Sequence, residues 1–95
     1  MRISVRFESN SEIYTLPVRC DENEKTKDVI EHAIETYKKC QRKEHLDVEV
    51  KYLKNKQGEC IIIDNSKIKN ACDHNEELTA IFEVSDPRDY ELDDY

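Results

Sequence analysis

Ninety-five residues, 37% apolar and 39% charged, with two Phe and no Trp, set the scale of one domain with a modest core. A formal net charge of −7 repels phosphate backbones and argues against a nucleic-acid role. No apolar run approaches the ~20 residues that span a bilayer, so no membrane insertion is expected, and one Gly and two Pro are too few for a linker-rich chain.

Met1-Arg2 leads straight into an alternating stretch without the apolar core of a signal peptide, which predicts a reducing, cytoplasmic setting. There Cys20, Cys40, Cys60 and Cys72 read as small core or surface residues rather than as disulfides. From Arg2 to Phe7, Ile3, Val5 and Phe7 point to one side of a strand and Arg2, Ser4 and Arg6 to the other. A polar turn, Glu8 to Glu12, leads to a second strand. Here Tyr14, Leu16 and Val18 alternate with Thr15, Pro17 and Arg19, completing a hairpin. Pro17 has no N–H to give a ladder, so this strand is expected at a sheet edge with that position facing outward.

The stretch from Glu24 to Cys40 carries the strongest pattern. Val29, Ile30, Ala33, Ile34, Tyr37 and Cys40 form one apolar stripe at helical spacing, and Lys27, Asp28, Glu31, Glu35, Lys38 and Lys39 fill the opposite face. Asp21 and Glu24 have capping-box spacing, and Thr26 is a competing N-cap. Lys38, Lys39, Arg42 and Lys43 suit a helix C-terminus. A third strand follows, with Leu46, Val48, Val50 and Tyr52 inward, then a turn containing the single glycine, Gly58. Cys60 to Ile63 reads as a fourth strand. Asp64 to Cys72 suggests turns with one helical turn carrying Ile68 and Cys72 inward. Leu78 to Val84 is a fifth strand, expected at the centre of the sheet. Residues 85–95 form an acidic flexible tail, and residues 1–84 the domain.

Charge divides along the chain. The balance is −3 over residues 1–37, +4 over residues 38–56 and −8 over residues 57–95. The basic segment is most simply a solvated face; as a functional feature it would meet an acidic protein surface or peptide. The acidic tail could fold back on Lys38, Lys39, Arg42 and Lys43. Tyr90 and Tyr95 are tyrosines in an acidic setting that phosphorylation would charge further.

Chemical constellations are sparse. Cys72-Asp73-His74 brings thiol and imidazole close in sequence but lacks an orienting third group or a glycine-rich loop, so no catalytic residue and no enzyme is expected. His32 reads as an exposed helix histidine. Cys60, Cys72, His74 and His45 lack the short paired spacing of a zinc site, and Asp89 to Asp93 lacks the glycine and the bidentate acid of a calcium loop. No metal or other cofactor is expected.

The order strand, strand, helix, strand, strand, short turn, strand resembles the ubiquitin-like β-grasp. MRISVRF, YTLPV and TKDVIEHAIETY look like the first half of a ubiquitin-like domain, and the helix segment is also similar to the first helix of Ras-association domains. The resemblance implies an α+β fold with a mixed sheet packed on one helix, and a non-enzymatic protein–protein interaction module, such as the N-terminal domain of a larger scaffold, cytoskeletal or ciliary protein. The chain has no Gly after Gly58, so it is not expected to be conjugated as ubiquitin-type modifiers are.

Two alternatives share the architecture. A Ras-association-type effector would bind a small GTPase using Arg2, Arg6, Arg19, Lys25 and Lys27 and a free strand edge, from which Pro17 removes a donor if it lies on the pairing side. A Phox/Bem-type hetero-oligomerisation domain would need either acids in the turn that here holds Lys54 and Lys56, or a lysine on the first strand, where this chain has only Arg2 or Arg6, which pair with carboxylates in a different geometry. The expected protein-binding residues are Lys38, Lys39, Arg42 and Lys43, with Arg2, Arg6 and Arg19 on the first hairpin.

Overall fold

The computed structural model describes residues 1–9 and 12–85. It is a small α+β fold in which one five-stranded mixed sheet packs on a long helix, with a second, short helix at one end. The elements run β1 (Arg2–Glu8), β2 (Ile13–Arg19), α1 (Thr26–Cys40), β3 (Asp47–Lys54), β4 (Cys60–Ile61), α2 (Ile68–Ala71) and β5 (Glu77–Ser85). The strand order is β2-β1-β5-β3-β4. β5 is central, as its continuous apolar run predicts, and it pairs parallel to β1 and antiparallel to β3.

The inward faces of β1 and β2 hold the expected residues: Ile3, Val5, Phe7, Leu16 and Val18 are buried. They meet Val29, Ile30, Ala33 and Tyr37 of α1 and Leu78 and Ala80 of β5. At one end of this core the rings of Phe7 and Tyr37 stack at 4.2 Å, and Phe82 sits edge-on to both, at 5.5 Å and 5.9 Å. Offset and edge-to-face pairs of this kind add about 1 kcal/mol each beyond their area burial. The expected helical turn before β5 is α2, and it carries Ile68 and Cys72 into the core.

Four details depart from the sequence pattern. Cys40 is exposed although it continues the apolar stripe, because it is the last residue of α1, one turn past the Tyr37 ring that closes the core. In β3 the ladder slips between Val50 and Tyr52, with Val50 opposite Phe82 and Tyr52 opposite Ile81. The bulge leaves Lys51 as the extra residue and shifts the alternation by one. Leu53 rather than Tyr52 therefore enters the core, opposite Ala80. β4 is two residues long; Ile61 and Ile63 pack against the core while Ile62 is exposed.

The fourth departure is at the start of α1. Lys25 is the N-cap residue and makes no side-chain cap bond. The first N–H groups of the helix go to distant carbonyls instead: Thr26 to Ser66 at 2.8 Å and Lys27 to Asp64 at 3.0 Å. α2 returns the arrangement, with Ile68 N–H donating to the Glu24 carbonyl at 2.7 Å and Lys69 N–H to that of Glu22 at 3.2 Å. An isolated antiparallel bridge between Lys25 and Lys67 holds the two starts together. Asp21 and Glu24 do bond reciprocally, but within a separate turn that precedes the helix.

Candidate functional site

The sheet has α1 on one face only. On the other face β1 presents Arg2, Ser4, Arg6 and Glu8. β2 presents Ile13, Thr15, Pro17 and Arg19, β5 presents Glu77, Thr79, Ile81 and Glu83, and β3 adds Tyr52 and Lys54 past its bulge. The seven basic residues expected to bind a partner do not form one surface; the structure distributes them over three places.

The first place is the C-terminal end of α1. Arg42 sits just past the helix with φ 55; its N–H donates to the Lys39 carbonyl at 3.3 Å and the Lys43 N–H to that of Lys38 at 2.7 Å. This pair of bonds is a Schellman motif, with an arginine where glycine is usual. Lys39 and Arg42 are exposed. Lys43 is engaged internally, its Nζ 3.5 Å from the Glu12 carboxylate and 5.7 Å above the Tyr37 ring. Lys43 therefore fastens the helix end to the first hairpin. Lys38 and Lys39 share a surface hollow with Glu35 and Glu44, which tempers the positive charge there.

The second place is Arg6, in the middle of the open face. Its Nε lies 3.5 Å from Glu8 and its Nη1 3.8 Å from Glu77. Nε is buried and makes no hydrogen bond, so the Glu8 contact is an attraction between charges with poor geometry. Arg6 is held in a local ion network rather than presented alone. Lys51, the bulge residue, is similar: its ammonium is 3.0 Å from Glu83, whose carboxylate raises its pKa.

The third place is the far end of the sheet, where Arg2 and Arg19 are direct cross-strand partners and both are exposed. Among the described residues neither has a carboxylate within 4.0 Å. The loop before β5 closes over this end. The Arg2 N–H donates to His74 Nδ1 at 3.1 Å and the Arg2 carbonyl accepts the Asn75 N–H at 2.6 Å.

The Cys72-Asp73-His74 triplet does not assemble a nucleophile. Burial pushes the Cys72 thiol up to about 12, and its Sγ donates to the Ile68 carbonyl at 3.7 Å. His74 Nδ1 is already taken by Arg2. Cys60, His45, Cys72 and His74 do not converge, and among the described residues no three His, Cys, Asp or Glu side chains form a metal-holding group. His32 is exposed, as its place on the helix predicts. No helix among the described residues is long and apolar enough to cross a membrane. The acidic segment with Tyr90 and Tyr95, its fold-back onto Lys38 to Lys43, and the calcium-loop-like Asp89 to Asp93 lie outside the described residues.

The edge of β2 bears on strand addition. The Cys20 N–H donates to the Met1 carbonyl at 2.9 Å, so hydrogen-bonded pairs of this ladder fall at Met1–Cys20 and at every second pair beyond it. Ser4 and Pro17 are then a non-hydrogen-bonded pair, and the Ser4 N–H does turn the other way, to the Glu76 carbonyl at 3.0 Å. The Pro17 nitrogen therefore faces the open edge. This is the outward-facing position on an edge strand that the missing N–H of Pro17 predicts.

No family model and no curated protein matches the chain.

Proposed function

We propose that this chain is a ubiquitin-like β-grasp domain and that it works as a non-enzymatic, non-covalent protein interaction module for a partner with an acidic surface or peptide. The observation that carries the reading is the strand order β2-β1-β5-β3-β4 around one helix, with the opposite sheet face bearing arginines and left uncovered by the described residues. That order is the one a β-grasp requires: a hairpin, a crossover helix, and a final strand inserted parallel to the first. Within the reading the contact residues are Arg2 and Arg19 on the open face and Lys38, Lys39 and Arg42 at the helix end, while Arg6 and Lys43 serve mainly to hold the frame.

Of the alternatives, GTPase binding by strand addition to β2 is the weaker, because Pro17 leaves a gap in the row of donors that such a partner would use. A Phox/Bem-type pairing through the first strand fits Arg2 better than Arg6, which Glu8 and Glu77 already neutralise.

Affinity capture with three immobilised proteins tests the reading: the unaltered domain, Arg2→Glu with Arg19→Glu, and Lys38→Glu with Lys39→Glu and Arg42→Glu. The expected result is a defined protein retained by the unaltered domain and lost from one of the charge-reversed pair. Equal retention by all three contradicts the proposal. Retention of a GTPase only in its GTP-loaded form, unaffected by either set of reversals, favours the strand-addition alternative.

A further inference from the structure

Two like charges placed directly opposite one another on a sheet face repel, and a strand pair ordinarily avoids them. On the open face this chain offers both cases. Arg6 is flanked by Glu8 and Glu77, whereas Arg2 and Arg19, one end-turn away, face each other with no carboxylate within 4.0 Å among the described residues. They form a non-hydrogen-bonded pair, the kind that brings opposed side chains closest, with Cβ atoms about 4.5–5.5 Å apart.

The pair borders a hollow whose own lining contains no acid; Glu22 and Asp73 line a neighbouring hollow that shares Met1 and His74 with it. A surface hollow of about 410 Å³ is lined by Met1, Arg2, Arg19, Cys20, His74 and Asn75. His74 accepts the Arg2 N–H through Nδ1 at 3.1 Å, so in the neutral ring the proton resides on Nε2, which is left as a donor. Asn75, in the left-handed region at φ 66, donates its N–H to the Arg2 carbonyl, which fixes the backbone beneath the guanidinium. Two exposed guanidinium forks and an imidazole N–H thus border one hollow on an anchored frame.

We propose that Arg2 and Arg19, with His74 beside them, form an anion site for the phosphate monoester of a phosphorylated residue on a partner protein. A phosphate monoester carries a charge of about −1.5 to −2 and three acceptor oxygens, enough to satisfy two guanidinium groups at once. A single carboxylate leaves one of the two uncompensated. The occupant is a protein rather than an anionic membrane because the chain as a whole carries −7, which opposes approach to an extended negative surface but not to one isolated phosphate.

The inference rests on the interaction-domain reading for the nature of the partner, but the site itself is read separately. The full chain, labelled with nitrogen-15, is titrated with a short phosphoserine peptide, the same peptide unphosphorylated, inorganic phosphate, and vesicles containing a phosphoinositide. The Arg2 and Arg19 Nε–Hε signals are expected to shift saturably with the phosphopeptide. Affinity is expected to be at least about tenfold weaker for the unphosphorylated peptide and for Arg2→Gln with Arg19→Gln. These exposed substitutions leave the core untouched, and an unchanged amide spectrum elsewhere checks that the variant is folded.

Absence of saturable arginine shifts overturns the proposal, as does an unchanged response in the double variant. A response to inorganic phosphate with none to the phosphopeptide, or sedimentation of the chain with the vesicles, overturns it as well. Failure here leaves charge-dependent protein capture at the helix end intact; failure of all such capture with a positive titration removes the module and keeps the site.

Discussion

Thr26 gives both of its donors to one acceptor: its backbone N–H lies 2.8 Å and its hydroxyl 3.0 Å from the Ser66 carbonyl oxygen, 40 residues away in sequence. Thr26 is fully buried, and this contact fastens the start of α1 to the loop that begins α2. Replacing Thr26 by Val keeps the shape and the backbone bond and removes only the hydroxyl. The expected loss is about 1 kcal/mol, the ordinary net value of one such bond. In a thermal melt this is a decrease of roughly 4–8 °C for a domain of this size.

Arg42 occupies a left-handed position at φ 55, where a Cβ costs roughly 1–2 kcal/mol. Arg42→Ala and Arg42→Gly both remove the guanidinium, so their difference isolates the backbone. Arg42→Gly is expected to be the more stable of the two by about 1 kcal/mol in denaturant unfolding. If alanine were the more stable, the backbone at residue 42 would not be left-handed in solution.

Pro17 turns its nitrogen toward the open edge of β2, where an N–H would make a complete row of donors. Such rows invite pairing with another chain. Pro17→Val is expected to fold with an unchanged β1–β2 ladder and to self-associate more at high concentration, as followed by sedimentation equilibrium. An equally monomeric variant would show that Pro17 does not protect the edge.

Cys72 is buried, and that burial raises its thiol from an ordinary 9.0 to about 12. The folded state holds this proton more tightly than the unfolded state does. The associated stability is complete below about pH 9 and declines as the pH rises from about 9 toward 12. Burial also raises Cys20. Under native conditions at pH 8, exposed Cys40 and Cys60 are expected to react with a maleimide within minutes and Cys72 only after unfolding. Cys72→Ser is expected to flatten the alkaline decline of stability.

The periodic elements were legible in the chain because one residue type repeats on one face. Ile3, Val5 and Phe7, then Leu16 and Val18, then Val29 through Tyr37 need no tertiary information to be assigned inward. What was not legible depends on a distant partner. The bulge at Lys51 arises from the pairing of β3 with β5, and it exchanges Leu53 for Tyr52 in the core without any local signal such as glycine. The helix start likewise reads as side-chain capping, yet carbonyls of residues 64 and 66 satisfy it.

The candidate site was legible as residue types and not as a surface. Lys38, Lys39, Arg42 and Lys43 are consecutive enough in sequence to suggest a patch, but Lys43 is committed to Glu12 and Tyr37. Arg2 and Arg19 are 17 positions apart and become partners only through the hairpin register. Which of the seven cations is neutralised was decided by Glu8, Glu12 and Glu77, whose positions relative to them the sequence pattern left open.

The central claim is that the uncovered sheet face or the C-terminal end of α1, and not a cleft, meets an acidic protein. Amide chemical-shift mapping of the labelled domain with the protein retained in the capture experiment tests it most directly. The account predicts perturbations concentrated at Arg2, Ser4, Arg19 and Asn75, or at Lys38, Lys39 and Arg42, that diminish as ionic strength rises and shortens the screening length below about 10 Å. Perturbations confined to the outer face of α1 around Glu31 and Glu35, or unchanged by salt, would contradict it.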